Sequence, residues 1–377
     1  MASDVRRPRG AGDARDSLDP GLHPAASQSA GTDRRSRRWK GGDRHRGPHP
    51  PRTCNPRPDR LRAVRLVAWY PAQPGTGERA AYVEDLDRIG DGLVASGSIG
   101  ALERFGLGLV STTARRDAEV VAEDGRYPVV ILSPGNATNV EFYGALAEDL
   151  ASHGYVVIGL DHPYQSAAVA IRDDVATYAG DSSLGEAATA VRARIDERVA
   201  DIGLLLDRLA TDAAGFAVLD ERLDLERVAA IGHSNGGIAA VQVCDDPRVR
   251  ACINLDGQSL AGPFGTGSDP IAPHNPFLFL TKETELHPAL AQAFEESGTG
   301  GFRVVVPAAE HDSFTDGPRF RPRLLPILGA ADAVTTVTRG FMLAFLEHTL
   351  RDAPRTVFGQ VDAPTDVFVS VYPLVSQ

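Results

Sequence analysis

Gly232-His233-Ser234-Asn235-Gly236 places a hydroxyl between two glycines, with the apolar run Val228-Ala229-Ala230-Ile231 before it and Ile238-Ala239-Ala240-Val241 after it. A G-x-S-x-G between a strand and a helix is a nucleophile elbow, in which a sharp turn lifts the serine above the strand end. Glycines on either side let strand and helix approach closely. A serine hydroxyl is a poor nucleophile near neutral pH, so Ser234 needs a base within hydrogen-bond reach and an acid that orients the base.

His311 is the candidate base, because it alone follows a late strand after Ser234 on a short loop, Glu310-His311-Asp312-Ser313-Phe314. His274 and His287 precede that strand, and His233, next to the nucleophile, is expected to point away from it. Two positions compete as the acid. Asp256 closes Ile253-Asn254-Leu255-Asp256-Gly257, and Glu283 with Glu285 closes the following strand. The residues alone leave that choice open. A tetrahedral intermediate also needs amide donors aimed at its oxyanion. Asn235, directly after the nucleophile, supplies one. The loop Ser133-Pro134-Gly135-Asn136 supplies the other, and since proline has no N–H, Asn136 is the better donor there.

The elements that must position these groups are legible in order. Leu61 to Tyr70 reads as an early strand, and residues 82–127 as an excursion with a weakly helical stretch near 102–110. Val129-Val130-Ile131-Leu132 and Tyr155 to Leu160 are continuous apolar runs, as buried parallel strands require. Helical periodicity covers Phe142 to His153, Val191 to Ala210 and Thr335 to Leu350, with a polar stretch at 165–190. Further strands follow the elbow at 249–255, 277–281 and 303–306. Strands alternating with helices predict an α/β class domain over 61–377, a mostly parallel sheet with helices on both faces. In such sheets the functional groups gather at the carboxyl ends of the strands, where every candidate above falls.

Residues 1–60 differ sharply in composition. They carry thirteen arginines and one lysine against seven aspartates and almost no large apolar side chain, so they are expected to form a disordered Arg/Pro/Gly-rich leader. No apolar stretch of signal-peptide length follows the arginines, which points to a cytoplasmic protein. The remainder holds 25 basic and 43 acidic residues, a balance that repels phosphate backbones and argues against a nucleic-acid partner. No run is long enough for a transmembrane segment. Cys54, Cys244 and Cys252 suggest neither a disulfide framework nor a zinc site, and no nucleotide or metal motif implies a cofactor.

Four blocks together carry a family resemblance. They are 142–162, with Leu146-Ala147-Glu148-Asp149-Leu150 and His153-Gly154-Tyr155-Val156-Val157; Gly232 to Gly237; Asn254-Leu255-Asp256-Gly257; and His311-Asp312-Ser313-Phe314-Thr315-Asp316. They resemble the platelet-activating factor acetylhydrolase family and its bacterial dienelactone-hydrolase-like relatives across residues 61–352. The resemblance implies an α/β-hydrolase fold, a serine carboxylic ester hydrolase acting on short-acyl or lipid-like esters, the acid at Asp256 and oxyanion donors at Asn136 and Asn235. One departure stands out. The family's His-Gly pair in the oxyanion loop is Pro134-Gly135 here, a form also found in cutinase-like polyester hydrolases, which makes such an activity the alternative. A catalytically silent binding protein on the same fold is the reading from another class, and its expected mark is a missing triad member.

Overall fold

The computed structural model describes residues 23–26, 63–121, 125–180, 188–257, 273–282, 285, 294, 301–317 and 328–372. Its centre is a nine-stranded sheet. In chain order the strands of that sheet are β1 (His23–Ala26), β2 (Arg65–Ala72), β5 (Tyr127–Ser133), β6 (Val156–Asp161), β9 (Leu223–His233), β10 (Ala251–Leu255), β11 (Phe277–Thr281), β12 (Gly301–Val305) and β13 (Phe368–Tyr372). Their spatial order is β1-β2-β6-β5-β9-β10-β11-β12-β13. The six from β6 to β12 run parallel, and β1, β2 and β13 add antiparallel edges.

Alternation along the strands splits the core in two. Val130, Leu132, Val157, Ala229, Ile231 and Ile253 face a cluster built with α3 (Gly144–Ser152) and α6 (Leu328–Leu350). Val129, Ile131, Val156, Ile158 and Ala230 face the opposite cluster, which takes Ile195, Ile202, Leu205 and Leu206 of α4 (Ala188–Asp212) and Ala239 and Ala240 of α5 (Asn235–Gln242). Adjacent residues of one strand thus serve different layers, as the two-residue period demands. Fully burying each Val, Leu or Ile contributes about 1.5–3 kcal/mol. Both faces are covered, so the strands read as unbroken apolar runs.

The 82–127 excursion contains α1 (Leu86–Ala95), α2 (Ala101–Leu107) and β4 (Ser111–Arg116), which pairs antiparallel with β3 (Glu78–Ala81). The segment 165–190 is less uniformly polar than its composition suggests. It includes the hairpin of β7 (Ala168–Ile171) and β8 (Asp174–Thr177), whose Ala168, Val169 and Ala176 are buried. Within the compositionally unusual leader, His23–Ala26 lies as β1 along β2. Edge pairing of this kind uses backbone groups alone, which is why a segment without large apolar residues can supply it; the rest of the leader lies outside the described residues. The cysteine expectation is corrected as well. Cys244, just after α5, and Cys252, in β10, form a disulfide across a Cα separation of 5.6 Å. The helix returns to the strand beside the one it left, so eight residues of sequence close to bonding distance.

Candidate active site

The carboxyl edge of the sheet is stitched strand to strand by backbone amides. Ser234 N–H donates to Leu255 C=O at 3.0 Å, Asp256 N–H to Leu280 C=O at 2.7 Å, and Val306 N–H to Thr281 C=O at 2.8 Å. Each bond ties the first residue beyond one strand to the carboxyl end of a neighbouring strand. The loops bearing Ser234, Asp256 and His311 are therefore held in a fixed relation.

Ser234 stands between β9 and α5 with φ 54° and ψ −125°. This positive φ is costly for a residue with a Cβ and persists only where packing enforces it. The enforcement comes from its neighbours. A Cβ at Gly232 would sit 2.2 Å from Gly236 O, and one at Gly236 would sit 2.2 Å from Ser133 O. Only glycine fits at either flank, and the elbow packs directly on the Ser133 loop.

Asp256, 1% exposed, is also left-handed, with φ 49°. Its Oδ1 accepts from Thr281 Oγ1 at 3.0 Å and Lys282 N at 3.3 Å. Its Oδ2 lies 2.7 Å from His311 Nδ1. A carboxylate only accepts, so the His311 proton sits on Nδ1 and the Nε2 lone pair is left available. The structure thus brings Asp256 to His311. Glu285 is exposed, and Glu283 and His287 lie outside the described residues. His274 is exposed and faces Asp245 at 3.1 Å.

Asn235 is the first residue of α5, so its amide has no partner in the helix. In the facing loop, Gly135 N–H is taken by Tyr143 Oη at 3.0 Å and Ala137 N–H by Gln165 C=O at 2.9 Å. The Asn136 backbone N–H between them has no hydrogen-bond partner among the described residues. A Cβ at Gly135 would lie 3.5 Å from Ser234 Cβ, which sets this loop against Ser234. A cavity of about 550 Å³ opens beside it, lined by Asn136, Thr138, Phe142, Asp312, Ile99 and Leu107.

His233 has a definite place that the sequence did not suggest. Buried beside Ser234, it takes a hydrogen bond at Nδ1 from Tyr143 Oη, 2.8 Å away, and donates from Nε2 to His311 C=O at 2.9 Å. Burial, and then the neighbouring His311, pushes its pKa down to about 3, so it serves as a neutral bridge from the Gly135 loop to the His311 loop. The far end of the His311 loop is anchored by Asp316, whose carboxylate accepts from Tyr82 Oη and Ala145 N–H, each at 3.0 Å.

These features sit on a known architecture. The ferulic acid esterase of Streptomyces cinnamoneus superposes with a TM-score of 0.63 and 27% identity, over 82% of this chain and 89% of that one. The fold is that of the α/β hydrolases. The family model for platelet-activating factor acetylhydrolase, isoform II, matches residues 82–183. The chain resembles the platelet-activating factor acetylhydrolases. That of Cavia porcellus is 29% identical over 215 residues, 51% of this chain and 49% of the relative. Cutinase est2 of Thermobifida alba is 27% identical over 134 residues, 35% of each chain. The chain spans about half the length of the acetylhydrolase it matches, or less for the cutinase. No helix among the described residues is long and apolar enough to cross a membrane.

Proposed function

We propose that this chain is a serine carboxylic ester hydrolase acting on short-acyl or lipid-like esters through an acyl-enzyme intermediate. One observation carries the reading: the strained Ser234 elbow shares its sheet edge with a His311–Asp256 pair at 2.7 Å, beside the Asn136 and Asn235 backbone N–H groups, which have no hydrogen-bond partner among the described residues. Ser234 Oγ attacks the ester carbonyl and His311 Nε2 takes its proton. Asp256 holds the ring and stabilises the imidazolium through Nδ1–H. The amides of Asn136 and Asn235 receive the oxyanion. The imidazolium then protonates the departing alcohol, and the same ring activates water to release the acid.

The substrate class follows the similarity to acetylhydrolases, and the mixed polar and apolar lining of the 550 Å³ cavity suits a small or amphiphilic ester. Pro134 in the oxyanion loop and the cutinase match favour polyesters as the second substrate class. Profiling p-nitrophenyl acetate, butyrate, octanoate and dodecanoate beside a polyester film tests both. The proposal expects kcat/KM to be highest for acetate or butyrate. A preference for dodecanoate overturns the short-acyl part, efficient film hydrolysis favours the second reading, and absence of all turnover overturns the activity.

A further inference from the structure

Arg198 lies on α4 with its whole side chain buried, in contact with the oxyanion loop rather than with solvent. NH1 donates to Pro134 C=O at 2.7 Å and to Ser133 Oγ at 3.3 Å. NH2 donates to Gly135 C=O at 3.4 Å and to Asn136 Oδ1 at 3.3 Å. Nε donates to Gln165 Oε1 at 2.8 Å. The planar fork thus touches four consecutive residues, 133 to 136.

A support lies beneath it. The Ser133 hydroxyl accepts from Arg198, so its own hydrogen goes to His162 Nε2, 2.9 Å away. His162 Nδ1–H then donates to Asp201 Oδ2 at 2.8 Å. His162 and Asp201 are buried, and Asp201 stands one turn beyond Arg198 on α4. This second Ser-His-Asp chain is closed off from solvent and spends its hydrogen bonds on structure.

We propose that Arg198 is the positioning residue of the oxyanion hole. In a trans peptide the C=O and the following N–H point in opposite directions within one rigid plane. Gripping Gly135 C=O therefore turns the Asn136 N–H away from Arg198, in a loop that packs against Ser234. The preceding plane is held at both ends, Pro134 C=O by Arg198 and Gly135 N–H by Tyr143 Oη. The cation also polarises the Gly135–Asn136 unit and strengthens its N–H as a donor. Preorganised donors of this kind act mainly on the transition state. Lysine, a point charge, cannot reproduce the fork.

The inference rests on the proposed ester hydrolysis, and the experiment separates the two. Wild type, Arg198→Lys and Gln165→Met are compared on p-nitrophenyl butyrate, with active sites counted by end-point fluorophosphonate labelling and Tm recorded. For Arg198→Lys the expected result is kcat per labelled site lower by about 10- to 100-fold, less than the roughly 10²- to 10³-fold for losing an oxyanion donor outright because the amide is misaimed rather than removed, with KM within about threefold. Affinity for a trifluoromethyl ketone, whose adduct carries the oxyanion, falls by the same factor as kcat/KM. Gln165→Met, which removes the acceptor of Arg198 Nε together with the Gln165 Nε2 bonds to Arg194 C=O and Glu197 but leaves the NH1 and NH2 contacts in place, loses about three- to tenfold in the same pattern. A lower Tm with unchanged kcat per labelled site overturns the inference, as does unchanged kcat in Gln165→Met if Arg198→Lys does not fold. An inactive, unlabelled wild type overturns the ester-hydrolase reading instead.

Discussion

At the residue scale, the proposed nucleophile Ser234 and base His311 are legible because their constraints are local. Ser234 needs two glycines and a strand-to-helix change, all within a few residues. The acid is not local. Both β10 and β11 end in carboxylates, and only the loop geometry beyond the strands brings one of them to His311. Asp256 arrives at 2.7 Å while Glu285 points to solvent. Asp256→Asn should therefore lower kcat by about 10³- to 10⁴-fold, as loss of the orienting acid does elsewhere, with Glu285→Gln within a fewfold of wild type. Steady-state kinetics with active-site titration reads the difference, and the opposite ranking would move the acid. His233 makes a second prediction, about stability. An unfolded chain protonates this ring near pH 6.5, whereas the folded state resists until about pH 3. The unfolded state binds the extra proton in that window, so stability is complete above pH 6.5 and is lost as pH falls toward 3. The contribution of this one group is up to about 1.4 kcal/mol per pH unit. Urea titrations of His233→Gln between neutral and acid pH should show a slope shallower by about one proton. An unchanged slope would mean that His233 is protonated in the native state.

At the element scale, long parallel strands and the helices α3, α4 and α6 follow from apolar runs and helical periodicity; α3 and α4 lie within three residues of their expected bounds, whereas α6 begins at Leu328, seven residues before the expected Thr335. The β7–β8 hairpin escapes because its four-residue strands, Ala168–Ile171 and Asp174–Thr177, consist largely of alanine and polar residues that declare no period. Arg198 escapes for a different reason. It occupies the apolar stripe of α4, between Ile195 and Ile202, and a cation at that spacing is the signal that this face meets a polar partner. The disulfide joins the exit of α5, which Ser234 immediately precedes, to β10, which ends just before Asp256. Closing so short a loop contributes about 2–3 kcal/mol by the chain-entropy estimate. Replacing both Cys244 and Cys252 with alanine should lower the urea-derived stability by about that amount, with kcat within threefold. Two titratable thiols from this pair in the native protein kept free of reductant would contradict the bridge.

At the scale of the whole molecule, class and order of elements can be read from one chain, but the neighbour relations cannot. That β2 flanks β6 and that β13 returns antiparallel to β12 are matters of long-range pairing. Three of the four sequence blocks that carry the family resemblance lie at the carboxyl edge of this sheet, and the first runs through α3 and along β6 to reach that edge at Asp161-His162. The site is thus held by backbone bonds across strands, by the His233 bridge on one side and by Arg198 on the other. The central claim is that this assembly makes Ser234 the nucleophile. The most direct measurement is intact-mass and peptide analysis after fluorophosphonate treatment of wild type and Ser234→Ala. We predict one adduct per chain, on Ser234, with complete loss of esterase turnover, and no adduct with kcat lower by at least about 10³-fold in the variant. An adduct on another residue, or turnover that survives in Ser234→Ala, would contradict the account.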